Sequence, residues 1–262
     1  KPDETFDIEG FKNMMSKDVK VVSIIHSSNL DGYTLPIKEI VDIAKDNKAL
    51  VILDAAQSVP HKEVNVRKLG VDFLAFSGHK MLGPTGTGIL YGRYDLLENL
   101  NPFMVGGDTV ERTTYDSFRL LPPPEKFEAG LQNYASMIGL AEAVRYLDRI
   151  GRENIEKHEK ELSRFITGEM QGMDGLKIIG VQDPELRGGI ISFEIDGIEY
   201  HDVAIMLDDQ ANVMVRSGQH CVHSWFNARN IPGSVRASLY LYNTKEDAET
   251  FIEALKTITK LR

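Results

Sequence analysis

The chain has a single cysteine in 262 residues, no excess of basic charge and no internal repeat or low-complexity segment. One cysteine excludes an intrachain disulfide, so Cys221 is a small buried hydrophobe, a bystander or a reactive thiol. Lysine and arginine number 30 against 39 aspartates and glutamates, a net charge of −9. A phosphate polymer or an anionic membrane is repelled by such a surface, and no local basic patch offsets it, so neither is an expected partner. Apolar runs such as Val21 to Ile25 and Leu50 to Leu53 fall far short of the ~20 residues of a membrane span. The residues from Lys1 onward lack the apolar core of a signal peptide, which makes the cytosol the expected compartment. With 42% hydrophobic and 26% charged residues the chain is not disordered and can bury a substantial core.

What is present alternates between two periods. Val19 to His26, Ala49 to Asp54 and Val71 to Ser77 read as strands, and Leu35 to Asn47 reads as a helix with Pro36 in its first turn, a βαβ alternation. Gly83 to Gly88 lacks the spacing of a nucleotide-phosphate loop and reads as a hairpin into Ile89–Gly92. Gly106 to Pro124 reads as a long polar, proline-rich loop, of a length that is often functional. Tyr134 to Ile150 and Ile155 to Met170 read as helices joined by Arg152-Glu153-Asn154. Beyond them Leu176–Ile179, Gly189–Ile195 and Val213–Arg216 read as strands and Lys245 to Leu261 as an amphipathic helix, a small α+β unit.

Two strand ends carry chemistry. Ser77-Gly78-His79-Lys80 places a lysine beside a hydroxyl and an imidazole at the end of one strand, and Asp54 closes another. Either alone is commonly a surface loop or a cap. Both lie at the carboxyl ends of expected parallel strands, where open α/β sheets bind ligands. A lysine amine that condenses with an aldehyde, hydroxyl and imidazole groups for a phosphate, and a carboxylate for a pyridine nitrogen are what pyridoxal phosphate requires.

Six segments taken in order extend this reading: His26-Ser27-Ser28-Asn29, Asp54-Ala55-Ala56-Gln57, Phe76 to Gly86, Phe127-Glu128-Ala129-Gly130, Arg216 to Cys221, and Val235 to Tyr240. On them the chain resembles the class V aminotransferase group of fold-type I pyridoxal phosphate enzymes, and within it the Suf-type cysteine desulfurases. The resemblance implies an α/β large domain over residues 1–150 and a smaller C-terminal α+β domain over 151–262. It implies that Lys80 holds the cofactor as a Schiff base, that Asp54 pairs with the pyridinium nitrogen, that Gln57 meets the ring oxygen and that Ser77 and His79 hold phosphate. Asn29 and Arg236 meet the substrate carboxylate, and Cys221 accepts sulfur from L-cysteine as a persulfide and hands it to an acceptor protein. A homodimer is implied as well. In the family, further phosphate contacts and a ring-stacking histidine come from sequence preceding anything that matches Lys1, so the large domain is expected to be incomplete here.

A soft thiolate suits attack on sulfur, and His220, His223 and Arg216 are candidates to stabilise it. His220-Cys221-Val222-His223 also invites a zinc reading, but no second cluster completes four ligands and the spacing is too tight for good geometry, so no metal is expected. Three positions depart from the Suf-type pattern: Gln219 stands where a histidine is usual, Val222-His223-Ser224 replaces a small, proline-bearing stretch, and Leu131 stands where a threonine contacts the neighbouring subunit's phosphate. A leucine side chain donates no hydrogen bond. Selenocysteine lyase, cysteine sulfinate desulfinase and ordinary transamination stay open as activities, and an inactive fragment that binds a sulfur acceptor is the non-enzymatic alternative.

Overall fold

The computed structural model describes residues 1–262. A short helix α1 (Ile8–Met14) precedes strand β1 (Val21–Ile25), helix α2 (Ile37–Asp46) and strand β2 (Leu50–Asp54). In α2 the apolar positions Ile37, Ile40, Val41 and Ala44 recur at helical spacing and are all buried against the sheet. Helix α3 (Val66–Leu69) starts where the Asn65 side chain accepts the N–H groups of Arg67 and Lys68 and stops at Gly70, at φ +78°. It leads into β3 (Phe73–Ser77), and β4 (Gly88–Gly92) returns beside it. The sheet order is β1-β2-β3-β4, the first three parallel and β4 antiparallel, as the Gly83–Gly92 hairpin reading requires. Its register sets Asp54 directly between Ile25 and Ala75.

Helix α4 (Tyr94–Asn99) is followed by β5 (Val110–Thr113) and β6 (Phe118–Leu120). These two strands correct the reading of Gly106–Pro124 as a plain loop: it contains an antiparallel hairpin, hidden in the sequence because its mostly exposed strands lack apolar alternation. Helices α5 (Tyr134–Ile150) and α6 (Arg152–Gln171) follow, and Gly151 alone, at φ +90°, separates them. The expected connector Arg152-Glu153-Asn154 is therefore the first turn of α6, where an acidic Glu153 suits the positive end of the helix dipole.

The second sheet is formed by β7 (Leu176–Ile179), β8 (Ile190–Ile195), β9 (Arg216–Gly218) and β10 (Ser234–Ser238), in the order β7-β8-β10-β9, all antiparallel. Helices α7 (Tyr200–Ala211), α8 (His223–Ala228) and α9 (Lys245–Ile258) complete the chain. The largest apolar cluster lies here: Ile191, Phe193 and Val235 of the sheet pack on Ile166 and Met170 of α6, Leu207 of α7 and Phe251 and Leu255 of α9. The Val213–Arg216 strand reading is shifted by the structure. Val213 and Val215 pack against the core, but the ladder begins at Arg216, opposite Arg236.

The segment after β1 stitches the two sheets together. Gly188 N–H donates to Gly32 O at 2.9 Å, Thr34 N–H to Leu186 O at 3.0 Å, and Val181 N–H to the buried Asp31 carboxylate at 3.1 Å. A second seam joins the turn after β2 to α6 and to the segment that follows β10, with His61 Nδ1 2.8 Å from Glu159 Oε1 and Tyr240 O–H donating to Pro60 O at 2.9 Å.

Candidate active site

At the carboxyl edge of the parallel strands, Asp54 is exposed and the only hydrogen bond to its carboxylate comes from Ala56 N–H to Oδ1 at 2.9 Å, so Oδ2 is open. Its backbone is pinned, since His26 N–H donates to Asp54 O and Ala55 N–H to Ala75 O, both at 2.8 Å. Gln57 is half-buried in the turn that follows. Two residues beyond Ala75, Ser77 ends β3 and a tight turn carries Gly78, His79 and Lys80. Met81, 1% exposed, anchors that turn in a cluster with Leu140, Leu147, Ile155 and Tyr240. Gly78 is required there: a Cβ would lie 2.1 Å from Thr87 Oγ1, which is itself held by Pro84 O at 2.7 Å. Lys80, half-buried, carries no ion pair, and His79 is exposed, so an amine, an imidazole and a hydroxyl are presented along one edge with the Asp54 carboxylate.

The second group of predicted residues forms a continuous hydrogen-bonded set. Arg236 sits on β10 between Ser192 and Arg216, and its Nη1 donates to Asn29 O at 2.8 Å. Asn29 Nδ2 donates in turn to His220 O at 2.7 Å. Cys221 is exposed, and Arg216 Nη2 is 3.5 Å from its Sγ. Burial, then the Arg216 charge, lowers the pKa of Arg236, partly offset by Cys221. Two guanidiniums so placed, one of them with a buried and unpartnered Nε, suit a carboxylate ligand.

Of the three candidates to stabilise a charged sulfur, Arg216 makes the contact. His220 instead turns inward: it is 2% exposed, its Nε2 lies 2.9 Å from Ser234 Oγ, and burial followed by the Arg236 and Arg216 charges drives its pKa to about 4. It is neutral near pH 7. His223 begins α8. Phe226 is fully buried, as an anchor for the loop must be, while Trp225 is half-buried with Arg229 4.2 Å over its ring. Leu131, 91% exposed, follows Gly130 at φ +76°. Sequence reasoning missed Thr87 and Ser234. Neither carries a local signal, since each matters through a partner brought close only by the fold.

The aminotransferase class-V family model matches residues 1–251. A probable cysteine desulfurase 2 of Mycobacterium leprae is 43% identical over 91% of this chain and 57% of its own length, and a cysteine desulfurase of Haloferax volcanii is 37% identical over 99% and 60%. Among solved structures, the apo cysteine desulfurase of Thermococcus onnurineus superposes with a TM-score of 0.95 at 40% identity, over 99% of this chain and 65% of that one. The cysteine desulfurase CsdA of Escherichia coli, in its S-sulfonic acid form, does so with 0.91 at 29% identity, over 97% and 63%. The chain thus spans about 60% of the length of these curated relatives. With the family model covering nearly all of its length and the strand-edge lysine and aspartate in place, the chain belongs to the aminotransferase class-V family.

Proposed function

We propose that the protein carrying this chain is a pyridoxal phosphate-dependent cysteine desulfurase that forms a persulfide on Cys221. The observation that carries the reading is the link between nucleophile and carboxylate site: Cys221 Sγ lies against Arg216, and one residue away His220 O is tied through Asn29 to Arg236. A transaminase has no use for a thiol there.

The residues fit the cofactor. Asp54 offers a free carboxylate oxygen for a ring nitrogen, Gln57 an amide for the ring oxygen, and Lys80 an unpaired amine, while Ser77 and His79, on either side of the buried Gly78, offer a hydroxyl and an imidazole for phosphate. When bound, pyridoxal phosphate supplies an electron sink for bonds broken at the substrate α and β carbons. Arg236 and Asn29 hold the substrate carboxylate and Lys80 is placed to move protons. The Cys221 thiolate attacks the substrate sulfur: an S–S bond forms, the Cβ–S bond breaks with its electron pair left on Cβ, and Cβ takes a proton to give alanine.

Incubation with L-cysteine should yield alanine and one added sulfur atom on the Cys221 peptide by mass spectrometry. Cys221→Ala should abolish both while borohydride with bound cofactor still labels Lys80. Alanine without sulfur on Cys221 removes the persulfide route, a Cys221→Ala variant active on selenocysteine indicates a lyase, and unaffected amino transfer indicates a transaminase. No cofactor uptake at all indicates a binding fragment. The sulfur then passes to an acceptor protein. The reading includes the cytosol, where thiols stay reduced, and a homodimer, supported by the exposed apolar residues Phe103, Met104, Leu131 and Ile138. Light scattering that gives a monomeric active protein overturns the dimer.

A further inference from the structure

Asn29 is placed to do more than line a carboxylate site. Its backbone oxygen accepts Arg236 Nη1 at 2.8 Å while its side-chain Nδ2 donates to His220 O at 2.7 Å, across 191 positions of sequence. The carbonyl it holds belongs to an unusual pair: His220 and Cys221 are consecutive non-glycine residues at φ +50° and +65°. Side chains with a Cβ adopt this left-handed region only where the surroundings impose it. Several restraints do so here, beginning with the turn itself, where Val222 N–H donates to Gln219 O at 2.9 Å. Ser234 Oγ, fully buried on β10, meets His220 Nε2 at 2.9 Å, and Phe226 packs edge-on against the same imidazole with ring centroids 6.0 Å apart. Asn29 secures the opposite end, the carbonyl that precedes Cys221. The contact between Sγ and Arg216 Nη2 at 3.5 Å follows from that backbone.

We propose that Asn29 is a positioning residue for Cys221: through the His220 carbonyl it holds the cysteine loop in the left-handed conformation that sets Sγ against Arg216. One residue then orients both Arg236, at the carboxylate, and the thiol. The importance of this for sulfur transfer rests on the desulfurase reading; the positioning itself does not. A residue that only binds the substrate carboxylate leaves the thiol unchanged when no substrate is present, and that difference supplies the test.

Alkylation of Cys221 by iodoacetamide at pH 7 is followed by mass spectrometry of its peptide in the full-length, cofactor-loaded protein without substrate. Arg216→Met should slow alkylation about fivefold, the scale of a charge pair near 4 Å in water. Asn29→Ala should slow it by a similar factor, and the double variant should be no slower than either single one, because both act through the same contact. Wild-type or faster alkylation in Asn29→Ala, or slowing in the double variant equal to the product of the singles, overturns the proposal. Ser234→Ala restrains the same loop from β10 and serves if Asn29→Ala does not fold. It should show the same non-additive slowing and lower kcat for cysteine with KM within about twofold, and wild-type alkylation in this variant also overturns the proposal. Failure of the desulfurase reading appears separately, as absent alanine with the alkylation pattern intact.

Discussion

Lys80 and Cys221 were each legible as single residues, yet their surroundings were not. Lys80 follows a strand end and a glycine, and that local pattern is enough to set a lysine at a sheet edge. Cys221 is different: three cations could be named from sequence, and only the antiparallel register of β9 and β10, which sets Arg216 opposite Arg236, selects the one that meets the sulfur. Arg236 itself supplies a prediction. Its guanidinium holds Asn29 O with Nη1 and keeps Nε unpartnered. A lysine keeps the charge but not the planar fork. Arg236→Lys should therefore raise KM for the amino acid about tenfold, the ~1.4 kcal/mol of one charge-assisted hydrogen bond, with a smaller change in kcat. Steady-state kinetics would show this, and an unchanged KM would remove Arg236 from the carboxylate site.

Among the elements, the strands with runs of Val, Ile and Leu and the helices with a single apolar stripe matched their sequence signals, because burial of those faces decides their conformation. The hairpin of β5 and β6 and the helices α1, α3, α4, α7 and α8 did not: the hairpin and the short helices are brief and largely exposed, and α7 buries only Val203 and Leu207, so no periodicity announces them. Two substitutions separate local from tertiary control. Thr244 caps α9 in a reciprocal capping box with Asp247, and Thr244→Ala should cost about 1 kcal/mol in denaturant unfolding with little effect on cofactor uptake. Gly78→Ala pushes a methyl group to 2.1 Å from Thr87 Oγ1 and should cost about 1–3 kcal/mol while also shifting the Lys80 turn, so it loses stability and cofactor together. Normal cofactor affinity in Gly78→Ala would show that the turn adapts.

The whole molecule responds to pH through histidines that the fold buries. His26, 7% exposed, is driven to a pKa of about 4 by burial and then by the Lys62 charge, and His220 is likewise held at about 4. Both ordinarily titrate near 6.5 in an unfolded chain. The unfolded chain therefore binds more protons between these values, and stability falls as pH drops from about 6.5 to 4, by on the order of 3 kcal/mol for each histidine at the limit. Glu159 opposes the trend: burial raises its pKa, so its contribution grows on acidification, but one carboxyl acts against two imidazoles. Melting temperature should fall across this window, and His26→Gln, uncharged throughout, should remove about half of the slope. A flat profile from pH 6.5 to 4 would mean that the two imidazoles accept protons without unfolding. At the alkaline end burial lowers Lys62 to about 8, so its contribution to stability rises between about 8 and its ordinary 10.5.

The sequence by itself determined the βαβ order, the strand ends that carry Asp54 and Lys80, and the family motifs, because strand and helix periods and turn residues are local properties of the chain. Only the tertiary structure decided that Asn29, His220, Arg216 and Arg236 form one bonded set around Cys221, that His220 faces Ser234 and not the sulfur, and that the expected loop at Gly106–Pro124 folds as a hairpin. These are contacts between segments up to 207 positions apart, set by sheet register and burial, and no local pattern of residues encodes a distance between them.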